Sequence, residues 1–228
     1  MKSVVVQQTI LSEKLSEKLR KYLLFSISPS ETIRESDLAK RFGVSRTPIR
    51  EALNELEKQG IVVRKKKRGT SLKIMTAQEI ADIYNVRSVL EGLAARLFCQ
   101  FVTPESIQNL LAIEQSYQVA LQQNDYETIL QSDMFFHETI INFCGNDRLA
   151  KLVRDCHLLS EIFKKCNGEN PREPGIQKRK IQQSKYPHRS IILAFERKDE
   201  KKAETLMRRH IEWTKDILLR NILTRRVE

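Results

Sequence analysis

The sequence is poor in residues that interrupt helices: 228 residues include only 7 glycines and 6 prolines. That scarcity excludes a collagen-like fibre, which needs glycine at every third position. Cysteines number four, Cys99, Cys144, Cys156 and Cys166, and none forms a Cys-x-x-Cys pair. Neither a zinc knuckle nor a disulfide framework is expected from them, and three of the four fall on apolar faces, as buried reduced thiols do. No stretch approaches the roughly 20 apolar residues needed to span a bilayer. The run from Met1 to Gln8 lacks the apolar core and small-residue cleavage site of a secretory leader, so a cytoplasmic chain is expected. No internal repeat or low-complexity segment is evident.

What is present suits a folded, water-soluble protein. Hydrophobic residues at 40% fill a core and charged residues at 30% cover a surface, which excludes a disordered tail. The length fits one large domain or, more naturally, two of ordinary size. Abundant Leu, Glu, Lys, Arg and Gln predict a mainly α protein. The net charge of +11 is unevenly spread. Residues 1–75 hold 17 Lys and Arg against 8 Asp and Glu, whereas residues 76–228 hold 23 against 21. A field concentrated in one third of the chain predicts a polyanion-binding module, residues 1–75, joined to a near-neutral module, residues 76–228. Binding to a membrane surface is disfavoured, because the basic third has no Trp- and Phe-rich apolar face.

Within residues 1–75, Leu11, Leu15, Leu19, Tyr22 and Leu23 recur at helical spacing, so 9–25 should form an amphipathic helix, broken at Ser28-Pro29-Ser30. Residues 36–42 make a short second helix, ended by Gly43 as a left-handed C-cap. Ser45 then caps a third helix to about Gln59, with Pro48 tolerated in its first turn and Gly60 as its stop. Ile49, Ala52, Leu53 and Leu56 point inward, which leaves Arg46 and Arg50, four apart, on the opposite face. Arginines there can fork onto guanine O6 and N7 in a major groove, while Ser45 and Thr47 hold phosphates. Two short β-type runs, 61–63 and 71–74, flank the basic turn Arg64-Lys-Lys-Lys-Arg68-Gly69-Thr70, a hairpin wing whose Arg68 and Gly69 can lie against the DNA backbone or minor groove. The segment predicts a winged helix-turn-helix.

The run Gly43-Val-Ser-Arg-Thr-Pro-Ile-Arg-Glu-Ala-Leu53, with Leu56 and Gly60-Ile-Val, resembles the DNA-binding domain of GntR-family transcriptional regulators. The resemblance implies operator contacts by Ser45, Arg46, Thr47, Arg50 and the wing glycine Gly69. Ser36 stands where some members carry a DNA-contacting arginine, with Arg34 nearby.

From Thr76 onward the periodicity predicts six helices, at 77–100, 104–123, 126–143, 147–166, 185–197 and 200–222, with a mobile basic loop at about 167–184. Polar residues interrupt several of their apolar stripes. In the third helix the face runs Tyr126, Ile129, Leu130, Asp133, Met134, His137, Ile140, Ile141 and Cys144. His188 shares a face with Ile191, Ile192 and Phe195, and His210 sits between Met207 and Ile211. An unpaired buried polar group costs about 1–3 kcal/mol and a lone carboxylate far more. Convergence of Asp133, His137, His188 and His210 on one divalent cation removes that cost. Zinc suits this donor set best, and nickel, cobalt and manganese accept the same donors. His157, at the edge of its stripe, reads as structural. On the first of these helices Arg87 lies on the inward face with Glu91 four residues on. Either Glu91 alone satisfies it, or its guanidinium clamps the carboxylate of a small organic or sugar acid beside the metal.

This half is similar to the FCD ligand-binding domain of the FadR-type branch. The resemblance rests on Arg87-Ser-Val-Leu-Glu91 with Ala94-Ala95, Asp133-Met-Phe-Phe-His137, His188-Arg-Ser-Ile191 and His210-Ile211. It implies Asp133, His137, His188 and His210 as metal ligands and Arg87 in the effector pocket. Six helices rather than seven are similar to the shorter VanR-like subgroup. Pro187 replaces the acidic residue that often precedes that histidine.

The expected protein is therefore a homodimeric repressor on a palindromic double-stranded operator, answering to a small carboxylate effector through the stretch Thr70–Thr76. The alternatives are a metal-dependent hydrolase or lyase acting on a small acid, and an architectural nucleic-acid binder without an effector. No enzyme is expected, since four protein ligands suit a sensing or structural site better than a three-ligand catalytic one, and Glu91 is the one further carboxylate on the inward stripes.

Overall fold

The computed structural model describes residues 15–20, 22–23, 26–28, 31–65, 69–166 and 187–225. The expected loop 167–184, Arg68 and Leu11 lie outside them. The chain divides into two compact units, Met1–Met75 with Glu161–Gly168, and Thr76–Ser160 with Glu169–Glu228.

In the first unit a leading helix buries Leu15, Leu19 and Leu23 on one face, the spacing that the sequence predicts. Two further helices follow, α1 (Glu35–Phe42) and α2 (Arg46–Lys58). Gly43 between them takes φ 65°, and its N–H and that of Val44 bond the carbonyls of Lys40 and Ala39, closing α1 in a left-handed cap. Ser45 occupies the N-cap position of α2, but its side chain bonds no backbone N–H there. The expected cap is thus a position without the capping bond, and the exposed hydroxyl points to solvent. Ile49, Ala52, Leu53 and Leu56 are buried as predicted. Strands β1 (Val62–Lys65) and β2 (Gly69–Leu72) pair antiparallel with Val62 opposite Leu72 and Lys65 opposite Gly69. Arg64 therefore belongs to a strand rather than to the turn. Ile33 exchanges backbone bonds with Thr70 and adds a third rung beside β2.

From Thr76 onward the described residues form six helices, α3 (Ala77–Phe101), α4 (Pro104–Gln123), α5 (Tyr126–Asn142), α6 (Asp147–Cys166), α7 (His188–Glu196) and α8 (Glu200–Arg225), all in the second unit except the end of α6 from Glu161. Their starts are written locally. Thr76 and Glu79 form a capping box on α3, Thr103 and Ser106 one on α4, and Asp125 accepts from the Thr128 N–H at the head of α5. Helix α7 begins at His188 rather than 185, because Pro187 takes the extended N-cap conformation. The most extensive packing is α3 against α8, followed by α4 against α5; α3 also meets α5, and α7 meets α4 and α8. Gly92 on α3 lies against the Arg208 side chain, where a Cβ would come within 2.5 Å of Cγ. On α5 the inward stripe runs through Phe136, fully buried, whereas Met134 is half exposed. The 100° step per residue places Phe136 with Ile129, Asp133 and Ile140, so Met134 falls off the stripe. Cys99 and Cys144 are buried, Cys156 and Cys166 half-buried, and all four are reduced. No helix among the described residues is long and apolar enough to cross a membrane.

Candidate metal centre and nucleic-acid face

Asp133, His137, His188 and His210 meet inside the second unit. Each offers one donor atom, and the four atoms all lie within 4.8 Å of one another. Helix α5 supplies Asp133 and His137 one turn apart, α7 supplies His188 from its first residue, and α8 supplies His210 from its middle. His188 Nε2 stands 3.2 Å from Asp133 Oδ1, and His137 Nε2 stands 3.9 Å from the same oxygen. The four donors are thus gathered closely enough that they could hold one divalent ion between them. The three rings are buried, while the Asp133 side chain is 39% exposed.

The ring nitrogens facing away from Asp133 meet two further carboxylates. Glu91 Oε2 lies 2.7 Å from His137 Nδ1, and Glu114 Oε2 lies 3.3 Å from His188 Nδ1. Both acids are buried, one on α3 and one on α4. Each can hold its imidazole with Nδ1 protonated, which turns the Nε2 lone pair toward Asp133. Among the described residues, no protein atom meets hydrogen-bond geometry at either nitrogen of the buried His188. Glu114 can serve Nδ1 of this ring, which leaves Nε2, beside Asp133, as the buried nitrogen that a divalent cation would satisfy, so this donor set fits one.

Glu91 is the hub behind the centre. Its Oε1 accepts from Arg87 Nε at 2.9 Å and lies 2.9 Å from His157 Nε2. Arg87 Nη1 also donates to Ser160 Oγ, and its Cζ stands 4.6 Å over the Tyr84 ring. Glu91 thus lies between Arg87 and His137. Burial pushes the Glu91 carboxyl up, but the charges of Arg87, His157 and His137 hold it well below the usual range. Loss of hydration likewise opposes ionised Asp133, yet the facing rings of His188, His137 and His210 hold its carboxyl far below the usual value. Burial lowers the His188 ring, and Asp133 and Glu114 more than offset this, raising it to about 9. Burial lowers the His157 ring, with Glu91 pulling the other way. The Tyr117 hydroxyl is pushed up by burial and by Asp133 and Glu114, and its ring lies 5.2 Å from that of His188.

Sequence reasoning placed the four donors but missed part of their surroundings. Glu114 escaped notice, although the stripe Leu110, Glu114, Tyr117, Leu121 on α4 carries it at helical spacing. His157 belongs to the polar cluster through Glu91, and Phe136 stacks on His188 at 4.0 Å between centroids.

In the first unit Ser45, Arg46, Thr47 and Arg50 are exposed together over the first turns of α2. Gly69 is exposed at the start of β2 with φ 78°, and a Cβ there would come within 2.7 Å of Thr32 Cγ2. Both the left-handed backbone and the close approach require glycine. Arg34 is exposed at the N-cap of α1, and Ser36 Oγ donates to Asp37.

With this geometry established, comparison with known proteins places the chain. Residues 11–72 match the family described as bacterial regulatory proteins, gntR family, and residues 82–212 match the FCD domain. The chain belongs to the gntR family of bacterial regulatory proteins and carries an FCD domain. It is 35% identical over 56% of its length to an uncharacterized HTH-type transcriptional regulator, YdhC, of Bacillus subtilis, spanning 58% of that protein. It is 30% identical to the Nta operon transcriptional regulator of Aminobacter aminovorans over 77% of this chain and 80% of that one. It is 34% identical to the gluconate operon transcriptional repressor of Bacillus licheniformis over 64% of this chain and 60% of the relative. The chain thus spans less than two thirds of the length of some curated relatives it matches. Among solved structures, E. coli McbR/YncC superposes with a TM-score of 0.70 at 19% identity, covering 92% of this chain and 98% of the other, a likeness of fold.

Proposed function

We propose that the protein is a homodimeric transcriptional repressor of the cytoplasm, whose affinity for a palindromic operator is set by a small organic or sugar acid. The observation that carries this reading is the convergence of Asp133, His137, His188 and His210 in a chain whose first unit exposes Arg46 and Arg50 at one helix tip. Residues 1–75 form the DNA-binding domain and residues 76–228 the effector-binding and dimerisation domain. Arg46 and Arg50 read bases in the major groove, Ser45 and Thr47 hold phosphates, and Gly69 and Arg68 carry the wing to the backbone. Relatives named as a gluconate operon transcriptional repressor and a probable D-xylose utilization operon transcriptional repressor support the reading of repression.

A divalent ion, best zinc, would be held by Asp133, His137, His188 and His210, and would supply a cationic Lewis-acidic centre for the carboxylate of the effector. Glu91 and Glu114 orient the histidines that face it. Arg87 is the proposed anion clamp, and its guanidinium already sits in the same polar cluster through Glu91. Effector binding shifts the balance between two arrangements of the paired heads, so operator affinity changes by the effector's differential affinity for them. The test uses the zinc-loaded protein, a duplex that it enriches from a random pool, and a panel of sugar and organic acids. A saturable change in duplex binding without turnover supports the reading. Turnover of an acid, or no effect of any acid on binding, overturns it.

A further inference from the structure

We infer that Arg64 is a positioning residue for DNA recognition, a brace that fixes the wing against the recognition helix α2. The inference rests on the DNA-binding reading above. Arg64 stands in β1, opposite Thr70. Its guanidinium crosses to the helix, where Nη2 donates to the Arg50 carbonyl at 3.3 Å. Arg50 is itself one of the two arginines at the helix tip, so the brace ends on the backbone of a base-reading residue. Glu57, two turns further along α2, meets Arg64 twice, by a hydrogen bond at the backbone and by an ion pair at the guanidinium. Its Oε1 accepts the Arg64 backbone N–H at 3.0 Å, and its Oε2 lies 3.6 Å from Nε, an atom sheltered from solvent. Glu35, the first residue of α1, approaches Nη2 at 3.8 Å. One side chain thereby ties the wing to both helices of the helix-turn-helix.

The electrostatics separate this brace from a phosphate contact. Residues 1–75 carry 8 acids among 17 bases, and two of those acids are spent on this one guanidinium. A carboxylate on a face that meets DNA repels phosphates, and Glu35 and Glu57 beside Arg64 cancel the attraction it would otherwise offer. The arrangement suits geometry instead. Base readout demands placement of the reading side chains within about 0.5 Å, and helix and wing engage different features of the duplex, so their spacing decides whether both dock at once. Arginine suits the position because its planar fork holds Nε toward Glu57 and Nη2 toward the Arg50 carbonyl and Glu35, separate points that a compact ammonium does not span.

The test uses the full chain with two probes: a duplex enriched by the wild type from a random pool, and an unenriched duplex of equal length. Arg64→Met keeps the apolar stem and removes the brace. It should lower affinity for the enriched duplex at least tenfold, affinity for the unenriched one less than threefold, and leave the slope of log affinity against log salt unchanged. Arg64→Lys should fail to rescue. Glu57→Gln, which keeps an acceptor for the backbone N–H and so preserves the fold, should also lower the ratio between enriched and unenriched affinities. A salt slope reduced by about 0.9 in Arg64→Met, with equal loss on both duplexes, would show a phosphate contact and overturn the inference. Tighter binding of both duplexes by Glu57→Gln would do the same, since that is the effect of removing a negative charge alone. If the wild type enriches no duplex, the DNA-binding reading itself fails and takes this inference with it, an outcome distinct from loss of the Arg64 effect alone.

Discussion

Glu114 and His188 stand 3.3 Å apart, carboxylate oxygen to Nδ1, inside a helical domain where both side chains are buried. The opposite nitrogen of the same ring faces Asp133 at 3.2 Å. One imidazole therefore sits between a carboxylate that can orient it and a carboxylate that can share a cation with it. Glu114→Gln should weaken zinc binding about 10- to 100-fold, the usual effect of removing such a partner. Competition with a fluorescent chelator reads this directly, and wild-type affinity in the variant would deny Glu114 that role.

Much of this centre was legible beforehand. Asp133, His137, His188 and His210 interrupt apolar stripes, and a polar residue where leucine belongs is a signal that needs no coordinates. Glu114 obeys the same rule on α4, but a lone acid on a stripe without histidine or arginine carries no metal-ligand pattern of its own. Glu91 illustrates a different limit. Its spacing from Arg87 shows a local pair, whereas its contacts with His137 and His157 join residues 46 and 66 positions away, which periodicity within one helix cannot reveal. In the head, Gly43 and the buried face of α2 follow from sequence, while the side-chain cap expected of Ser45 is absent because cap position and capping bond are separable.

The raised His188 ring gives metal binding a pH dependence. With its value near 9 in the metal-free chain, the ring carries a proton at pH 7 that a metal must displace. Zinc affinity should climb between pH 6 and 9, and titration calorimetry in buffers of different ionisation enthalpy should show proton release at pH 7. Stability of the metal-free chain runs the other way. A value raised above the ordinary 6.5 stabilises the fold fully below 6.5 and loses that contribution as pH rises through about 9. Its thermal midpoint should therefore fall over that window, and a flat midpoint would contradict the charge assigned to His188.

His137→Ala or His210→Ala should lower the zinc content of purified protein, measured by elemental analysis. Each variant should also lose the thermal stabilisation that zinc confers on the wild type, which amounts to about 2.7 kcal/mol at a hundredfold excess over the dissociation constant. Full retention of metal in either variant would remove that residue from the ligand set.

Arg46→Ala and Arg50→Ala should each weaken binding to an enriched duplex by about 1–3 kcal/mol and relax base preference at one position. Fluorescence anisotropy against single-base variants of the duplex checks both effects. Unchanged affinity would take the residue out of the interface.

Arg87→Ala leaves the buried Glu91 without its guanidinium, so a loss of about 3–5 kcal/mol in stability is expected, read by denaturant unfolding. Arg87→Lys keeps a positive charge and removes the planar fork. It should retain the fold and duplex binding while losing the response to an effector acid, and a normal response would place the anion clamp elsewhere.

Among the described residues, each of the helices α3 to α8 sends a polar side chain to the centre or its immediate support: Arg87 and Glu91 from α3, Glu114 from α4, Asp133 and His137 from α5, His157 and Ser160 from α6, His188 from α7 and His210 from α8. Peeling any one of them away strips a buried polar or charged group of a partner. Amide hydrogens in all six should accordingly exchange with solvent by one concerted opening rather than helix by helix, and an event at the ligand atoms is felt by every one of them.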